Sequence, residues 1–393
     1  MYPKEYCDGL KLAELRTRLN ELNVKLPHIS YAPVLLENDA PPKTYIHVKG
    51  DWRDHGADVQ PGTLSVLPAL GDKPGEKPTR LALARWLTSP ENPLTSRVAA
   101  NRIWQELFGR GIVNTSDDFG TQGDRTTHPE LLDWLATEYM QRGWSMKQMV
   151  RLMVTSSTYR QSSNARKELD TRDPENTLLA RQSRLRLPAE LVRDETLSAA
   201  GLLDLRIGGR SVRPAQPKGV AELSYAGSVK WEESTGADRY RRGLYILFQR
   251  TVPYPQLVTF DAPSSTLSCT RRERTNTPLQ ALNLMNDPVF FEAAQALAFR
   301  VMRESSSGSG TGTAFGDRLN YAYEITLGRE PSARETERMG KYFDETSRNL
   351  AANPQTVSAL FPNRIEGVPQ ADAAAWVELS RVLLNLDEFI TKD

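Results

Sequence analysis

Cysteine is nearly absent from this chain, and its scarcity excludes two kinds of architecture. The 393 residues contain two cysteines, Cys7 and Cys269. Two thiols cannot build a disulfide framework or a four-thiolate metal site within one chain. No C-x-x-C-H motif is present either. We therefore expect no c-type haem bound by this chain and no other cofactor of its own.

Excess charge of either sign and long apolar runs are also lacking. Lys and Arg total 50 against 49 Asp and Glu, so no global field favours nucleic acid or a membrane surface. No apolar run reaches the roughly 18–20 residues of a membrane span. The opening MYPKEYCDGL has no basic-then-apolar leader pattern, which by itself favours the cytoplasm.

Common catalytic signatures are missing as well. The sequence contains no G-x-x-x-x-G-K-[ST], no H-E-x-x-H and no G-x-S-x-G. The glycines of GSGTG lie in a low-complexity segment without the lysine of a phosphate-binding loop. The sequence therefore indicates no particular reaction, and whether the chain is an enzyme stays open.

Arginine is the abundant charged residue, with 37 Arg against 13 Lys. Arginine holds carboxylates and phosphates through two parallel hydrogen bonds and keeps its charge when buried. Codon bias is the competing explanation. The 39% hydrophobic and 25% charged residues are typical of a globular protein, and the length favours two or three subdomains.

Residues that start or end helices recur along the sequence, and they predict a mainly α fold. LTSRVAANRIWQELFG reads as a helix that Thr95 or Ser96 caps and Gly109 ends. THPELLDWLATEYMQRG carries a capping box of Thr127 and Glu130. The segments KTYIHVKGD and RRGLYILFQR read as strands. We predict a multi-helical globular domain with a few short strands and one long ordered loop.

The helix ends and the segments rich in Pro, Gly or Ser predict that the chain divides into four parts. Residues 1–78 hold a helix, a strand and a Pro/Gly-rich linker, and residues 79–303 form the main helical core. That core includes a long loop at 206–239. The Ser/Gly-rich 304–316 reads as a flexible linker, and 317–393 as a C-terminal helical subdomain.

Several long phrases resemble a known family: RLALARWLTSPENPLTSRVAANRIWQELFGRGIVNTSDDFGTQG, HPELLDWLA, LPAELVRDETLSAAGLL and RRGLYILFQRTVPYPQLVTFDAPSSTLSCTRRERTNTPLQALNLMNDPVF. From Leu10 to Phe389 the chain is similar to domain of unknown function 1553, the C-terminal domain of exported planctomycete proteins. The resemblance implies an upstream cytochrome-c-like domain that carries a c-type haem. It also implies a periplasmic or cell-envelope location.

The first candidate site consists of Asp117, Asp118 and His128. Two carboxylates and an imidazole can serve general acid–base chemistry where their surroundings separate their proton affinities. The alternative is that they cap the connection between two helices. Arg97 and Asn101, one helical turn apart, would either fix these aspartates or join two helices through a polar network.

A second set of candidates is basic and aromatic. Arg210 and Arg213 lie in the long loop with Tyr225 and Trp231, and together with Trp52 they could stack on and bond to sugars or peptides. Packing between domains is the other reading of these residues.

Arg271 and Arg272 are further binding candidates, and with Arg274 they flank Cys269. Their charge could make a reactive thiolate of Cys269, but we favour a buried structural cysteine. A last polar cluster combines His47 and His55 with Asp51 and Asp54. It is compatible with mixed metal ligands or with a solvated loop, and we predict no metal site.

The leading functional hypothesis is a non-catalytic or ligand-binding module of an exported cytochrome-c-associated protein. Its expected partner is a saccharide or a protein, and neither nucleic acid nor a membrane span is expected. The alternative is a hydrolase of complex polysaccharide that uses Asp117, Asp118 and His128 with Arg97.

Overall fold

The structure, a computed structural model, describes residues 11–26, 32–36, 38, 40, 42–70, 79–223, 230–305 and 314–392. It is mainly α-helical with short two-stranded pairings, which confirms the predicted fold class. Contacts divide the chain into two compact units, Met1–Pro93 and Leu94–Asp393. The predicted division into four parts stays a prediction.

In its described residues the first unit contains two helices and a hairpin, α1 (Leu12–Lys25), β1 (Thr44–His47), β2 (His55–Val59) and α2 (Arg80–Leu87). The two strands are antiparallel, with Thr44 opposite Val59. Leucines at three- and four-residue steps predicted α1, and their side chains are exposed. Trp86 of α2 donates its indole N–H to the carbonyl of Pro68 at 2.7 Å, which fixes the segment before that helix.

The second unit holds the remaining elements. In chain order they are α3 (Thr95–Phe108), α4 (Pro129–Gln141), α5 (Met146–Val154), α6 (Lys167–Arg172), β3 (Leu185–Arg186), α7 (Ala189–Ala199), α8 (Pro255–Thr259), α9 (Pro278–Asn286), α10 (Pro288–Glu304), α11 (Ala314–Leu327), α12 (Ala333–Ala351), α13 (Pro354–Leu360), α14 (Gln370–Leu384), α15 (Asp387–Ile390) and β4 (Thr391–Lys392).

The two largest hydrophobic clusters among the described residues organise this unit. The smaller one packs α3 against α4 and α5 around Trp104 and Leu135. The larger one surrounds α10 and α14, and it includes Tyr254 of the segment before α8 and Trp376 of α14. Helices on both sides of residues 306–313 contribute to the larger cluster, so one core joins the chain before and after that segment.

A short antiparallel pair brings the end of the chain to the middle of the sequence. Leu185 of β3 pairs with Lys392 of β4. The ammonium of Lys392 donates to the carbonyl of Leu107 and to the Tyr159 hydroxyl, each at 3.0 Å. The strands β3 and β4 therefore lie beside the C-terminal end of α3.

The structure confirms the predicted end of α3 and shows capping side chains at the starts of α9 and α10. Gly109 ends α3 with a left-handed φ of 83°. A capping box of Thr277 and Gln280 starts α9, and Asp287 caps α10 through the amide of Val289 at 2.9 Å.

Two predictions of helix caps and one prediction of a strand were wrong. The residue that caps α3 is Leu94, so neither Thr95 nor Ser96 caps it. The predicted capping box at Thr127 does not form, because the Thr127 amide and hydroxyl donate instead to the Ile112 carbonyl, at 3.0 and 3.2 Å. RRGLYILFQR contains a 3₁₀ turn at Gly243–Tyr245 and isolated bridges instead of a strand.

The long loop is ordered where the structure describes it. The bridge between Val212 and Ile246 ties its first half to the segment after it, and 3₁₀ turns occupy Ala221–Leu223 and Gly236–Tyr240. Most of the predicted linker, residues 306–313, lies outside the described residues. Across the described residues, each helix is too short or too polar to cross a bilayer.

Candidate functional site

A cavity of about 560 Å³ opens where α3, β3 and the segment before α9 meet, a volume within the usual range for ligand pockets. Five of its lining residues are arginines, and we call it the arginine cleft. Its lining consists of Gln105, Glu106, Gly109, Arg184, Leu185, Arg186, Arg271, Arg272, Glu273, Arg274, Thr275, Asn276, Asp387 and Thr391.

Gly109 allows the helix and strand of the cleft to approach each other. Its φ of 83° lies in the left-handed region that favours glycine. A Cβ at this position would collide with the side chain of Leu185 in β3. The end of α3 and the neighbouring strand therefore form a close wall of the cleft.

Arg186 forms the buried floor. Its guanidinium donates to Asp261 Oδ2 at 2.5 Å, to the Thr275 carbonyl at 2.8 Å and to the Leu187 carbonyl at 2.7 Å. Burial lowers the pKa of Arg186, Asp261 opposes that effect, and the positive charge of Arg274 lowers it further. The floor is therefore a satisfied structural ion pair that lies in a positive field.

The segment Arg271–Arg274 carries the positive charge to the cleft surface. Arg272 donates to Glu190 at 2.8 Å, and this hydrogen bond raises the pKa of the arginine. The guanidinium of Arg274 lies 3.4 Å from the Glu106 carboxylate.

Arg271 and Arg184 complete the charged rim. Arg271 lies 3.5 Å from both the Glu273 carboxylate and the side-chain amide oxygen of Asn114, and its side chain is 45% exposed. Arg184 forms an ion pair with Asp387 at 2.9 Å. Exposed ion pairs of this kind contribute at most about 1 kcal/mol, so an anionic ligand can replace a carboxylate partner at small cost.

Most of the cleft lies in one recognisable segment of the chain. The family model described as PSD1, Protein of unknown function (DUF1553), matches residues 79–343. The chain belongs to this family. All five cleft arginines lie within the DUF1553 segment, whereas Asp387 and Thr391 lie beyond it. No curated protein and no solved structure matches the chain.

A second cavity of about 270 Å³ adjoins the arginine cleft, and the two share Arg271 and Glu273. Its lining is Asn114, Thr115, Ser116, Asp117, Thr270, Arg271 and Glu273, and we call it the hydroxyl cavity. Both cavities lie within the DUF1553 segment except for the two residues named above.

The proposed acid–base residues lie in different surroundings. Asp117 is exposed and lines the hydroxyl cavity. Asp118 accepts the Gly120 amide at 2.7 Å, a capping role. His128 is half-buried, its Nδ1 lies 2.9 Å from the Thr127 hydroxyl, and it lines a separate small cavity beside Arg110. The structure thus does not place Asp117 and His128 in one cavity.

Arg97 and Asn101, both on α3, have different partners. Arg97 forms an ion pair with Asp133 at 2.6 Å, and this hydrogen bond lowers the pKa of Asp133. Asn101 is buried, accepts the Val113 amide and donates to the Val113 carbonyl, both at 2.9 Å. Asn101 therefore ties the loop after α3 to its helix.

Among the candidates of the long loop, Trp231 and Arg213 are half-buried, whereas Arg210 is exposed. Trp231 donates its indole N–H to the Pro214 carbonyl at 2.7 Å and stacks on Tyr254, with ring centroids 5.7 Å apart. The Arg213 amide donates to Ser234 Oγ at 3.0 Å, and the Arg210 carbonyl accepts from Arg241 at 3.4 Å. The fourth candidate of the loop, Tyr225, lies outside the described residues.

The first unit carries the remaining polar candidates. Arg53 donates to Asp51, which lowers the pKa of that carboxyl. The ring of His55 stacks on Tyr45, with centroids 4.5 Å apart, and its centroid lies 6.2 Å from that of His47. In the described parts of the chain, no three potential His, Cys, Asp or Glu ligands converge. Asp54 and Trp52 are exposed in the same unit.

Cys269 is exposed at the start of the arginine-rich segment, and its thiol donates to the Arg271 carbonyl at 2.9 Å. The prediction of a buried cysteine was therefore wrong.

Sequence reasoning selected Arg271 and Arg272 but missed Arg184 and Arg186. Both flank Leu185 in SRLRLP, where alternation with leucine is the signal of a short strand. Their role depends on Asp261 and Asp387, which are distant in the sequence.

Proposed function

We propose that this chain is a non-catalytic binding module whose arginine cleft holds the anionic groups of a ligand. The observation that supports the proposal is the convergence of five arginines on one cavity in a chain of net charge +1. Guanidinium groups hold carboxylates, sulfates and phosphates through paired, charge-assisted hydrogen bonds. The positive charge is thus local and suits a local anionic group.

Arg271 and Arg274 are the two residues best suited to a ligand. Their ion pairs, at 3.5 and 3.4 Å, are longer than those of Arg186 at 2.5 Å and Arg272 at 2.8 Å, so they hold their carboxylate partners less closely. Glu273 and Glu106, their partners, are exposed and are solvated without them. Removing either arginine therefore leaves no buried carboxylate unpaired.

Calorimetric titration with dextran sulfate, and with uncharged dextran as the matched polymer, tests the proposal. We expect wild-type protein to bind dextran sulfate, with affinity that falls as the sodium chloride concentration rises. The double variant Arg271→Gln/Arg274→Gln should bind at least about tenfold more weakly, since each charge-assisted hydrogen bond contributes about 1.5–3 kcal/mol.

Arg102→Gln is the control, because Arg102 is exposed on α3 outside the cleft and its loss changes the net charge by the same sign. We expect this variant to bind like wild type. Equal affinity of the double variant and wild type, or equal binding of uncharged dextran, would contradict the proposal.

A further part of the proposal concerns the cellular location of the protein and its neighbouring domain. It is supported by the resemblance to the C-terminal domain of exported proteins alone. We propose that the module works in the periplasm or cell envelope beside a cytochrome-c-like domain that carries the haem. The test is the gene region upstream, where this proposal expects a C-x-x-C-H motif and a secretion signal. A region without either would contradict it.

A further inference from the structure

The arginine cleft and the hydroxyl cavity adjoin each other but differ in chemistry. Five arginines line the cleft, whereas among the described residues Arg271 is the one arginine that lines the hydroxyl cavity. The other groups there are hydroxyls, an amide and the carboxylates of Asp117 and Glu273. One cavity therefore suits an anionic group, and its neighbour suits a neutral group rich in hydroxyls.

Asp117 determines this preference. Its side chain is exposed, and among the described residues its carboxylate has no hydrogen-bond or ion-pair partner. An ionised carboxylate accepts hydrogen bonds and cannot donate them, so it binds the hydroxyl of a ligand and repels an anion. Asn114 differs, because its amide already donates to Asp124 at 3.1 Å.

The two cavities differ in volume and can therefore hold parts of a ligand that differ in size. The hydroxyl cavity, at about 270 Å³, lies just below the roughly 300–1,000 Å³ of ligand pockets, which suits a single small unit of a ligand. The arginine cleft has about twice that volume. A ligand that crosses from one to the other passes Arg271 and Glu273.

We infer that the ligand is an acidic oligosaccharide that places a carboxylated or sulfated unit in the arginine cleft and a neutral, hydroxylated unit in the hydroxyl cavity. This inference rests on the proposed function, because the acidic unit must bind the cleft arginines. It adds that a chain of alternating acidic and neutral units fits better than a uniformly charged one.

Three tetrasaccharides of equal length test this inference by calorimetry. The first alternates glucuronate and N-acetylglucosamine, the second is tetragalacturonate, and the third is uncharged chitotetraose. We expect the alternating compound to bind at least about tenfold more tightly than free glucuronate, and more tightly than the other two tetrasaccharides. Tetragalacturonate or inorganic polyphosphate binding as tightly as the alternating compound would overturn the inference.

Asp117→Asn gives a charge-specific test. Removing the carboxylate should raise the affinity for tetragalacturonate about fivefold, since repulsion is lost, without raising the affinity for the alternating compound. Glu130→Gln is the control, because Glu130 is exposed on α4 away from both cavities. Unchanged tetragalacturonate affinity in Asp117→Asn would overturn the inference.

The two levels of the proposal fail differently. If the arginine variant loses affinity for every acidic probe but the alternating compound has no advantage, the cleft binds anions and the inference about alternating units is wrong. If the arginine variant binds all acidic probes as wild type does, the proposed function is wrong as well.

Discussion

Replacing Arg186 by methionine is expected to lower the free energy of unfolding by about 3 kcal/mol. The Arg186 side chain is 7% exposed and pairs with Asp261, while its other hydrogen bonds hold the carbonyls of Thr275 and Leu187. Methionine fills similar space but leaves the Asp261 charge without its counter-ion. Urea denaturation followed by far-UV circular dichroism measures the loss.

The double variant Arg186→Met/Asp261→Asn separates the charge effect from packing. Asp261 has a φ of 62°, and asparagine tolerates this left-handed conformation. We expect asparagine to recover part of the lost stability, because it removes the unpaired charge and can still accept from Thr275. A double variant no more stable than Arg186→Met would contradict this explanation.

Trp376→Ala is expected to lower the free energy of unfolding by about 3–5 kcal/mol, because it empties a large site in the main core. Trp376 of α14 is 1% exposed, and its ring lies 5.5 Å from that of Phe315 and 5.4 Å from that of Phe343. These rings join α11 and α12 to α14. The same urea titration measures the effect.

Trp134→Ala is the matched control, because Trp134 on α4 is 49% exposed. We expect a change of at most about 1 kcal/mol there. A loss at Trp376 no larger than the loss at Trp134 would show that the three-ring contact does not stabilise the core.

The Trp376 contact also bears on how far the folded unit extends. The family match ends at Phe343, yet α14 at Gln370–Leu384 supplies Trp376, Leu379 and Leu383 to the larger cluster. Residues beyond the match are therefore part of the larger hydrophobic cluster.

Local chemistry predicted much of the helical fold. Gly109, Thr277 and Asp287 mark helix ends because each supplies a conformation or a hydrogen bond that the nearby backbone needs. Thr127 shows the limit, since its hydroxyl bonds to Ile112 in an earlier part of the chain. The Ile112 carbonyl accepts from the Thr127 hydroxyl and amide in place of a local capping box, and a sequence window cannot show that competition.

The candidate site was predictable only in part for the same reason. The density of arginines in CTRRERT marks Arg271 and Arg272, and the structure places both in the arginine cleft. Asp117 lines the hydroxyl cavity, which the sequence of its loop does not predict. Arg186 depends on Asp261, and no periodicity links two residues so far apart in the chain.

The central claim is that the arginine cleft is where an anionic ligand binds. Modification of arginines by phenylglyoxal, read by mass spectrometry with and without dextran sulfate, locates that ligand most directly. We expect dextran sulfate to protect Arg271 and Arg274 while Arg102 reacts at an unchanged rate. Equal protection of Arg102, or no protection of Arg271 and Arg274 when dextran sulfate is bound, would contradict the claim.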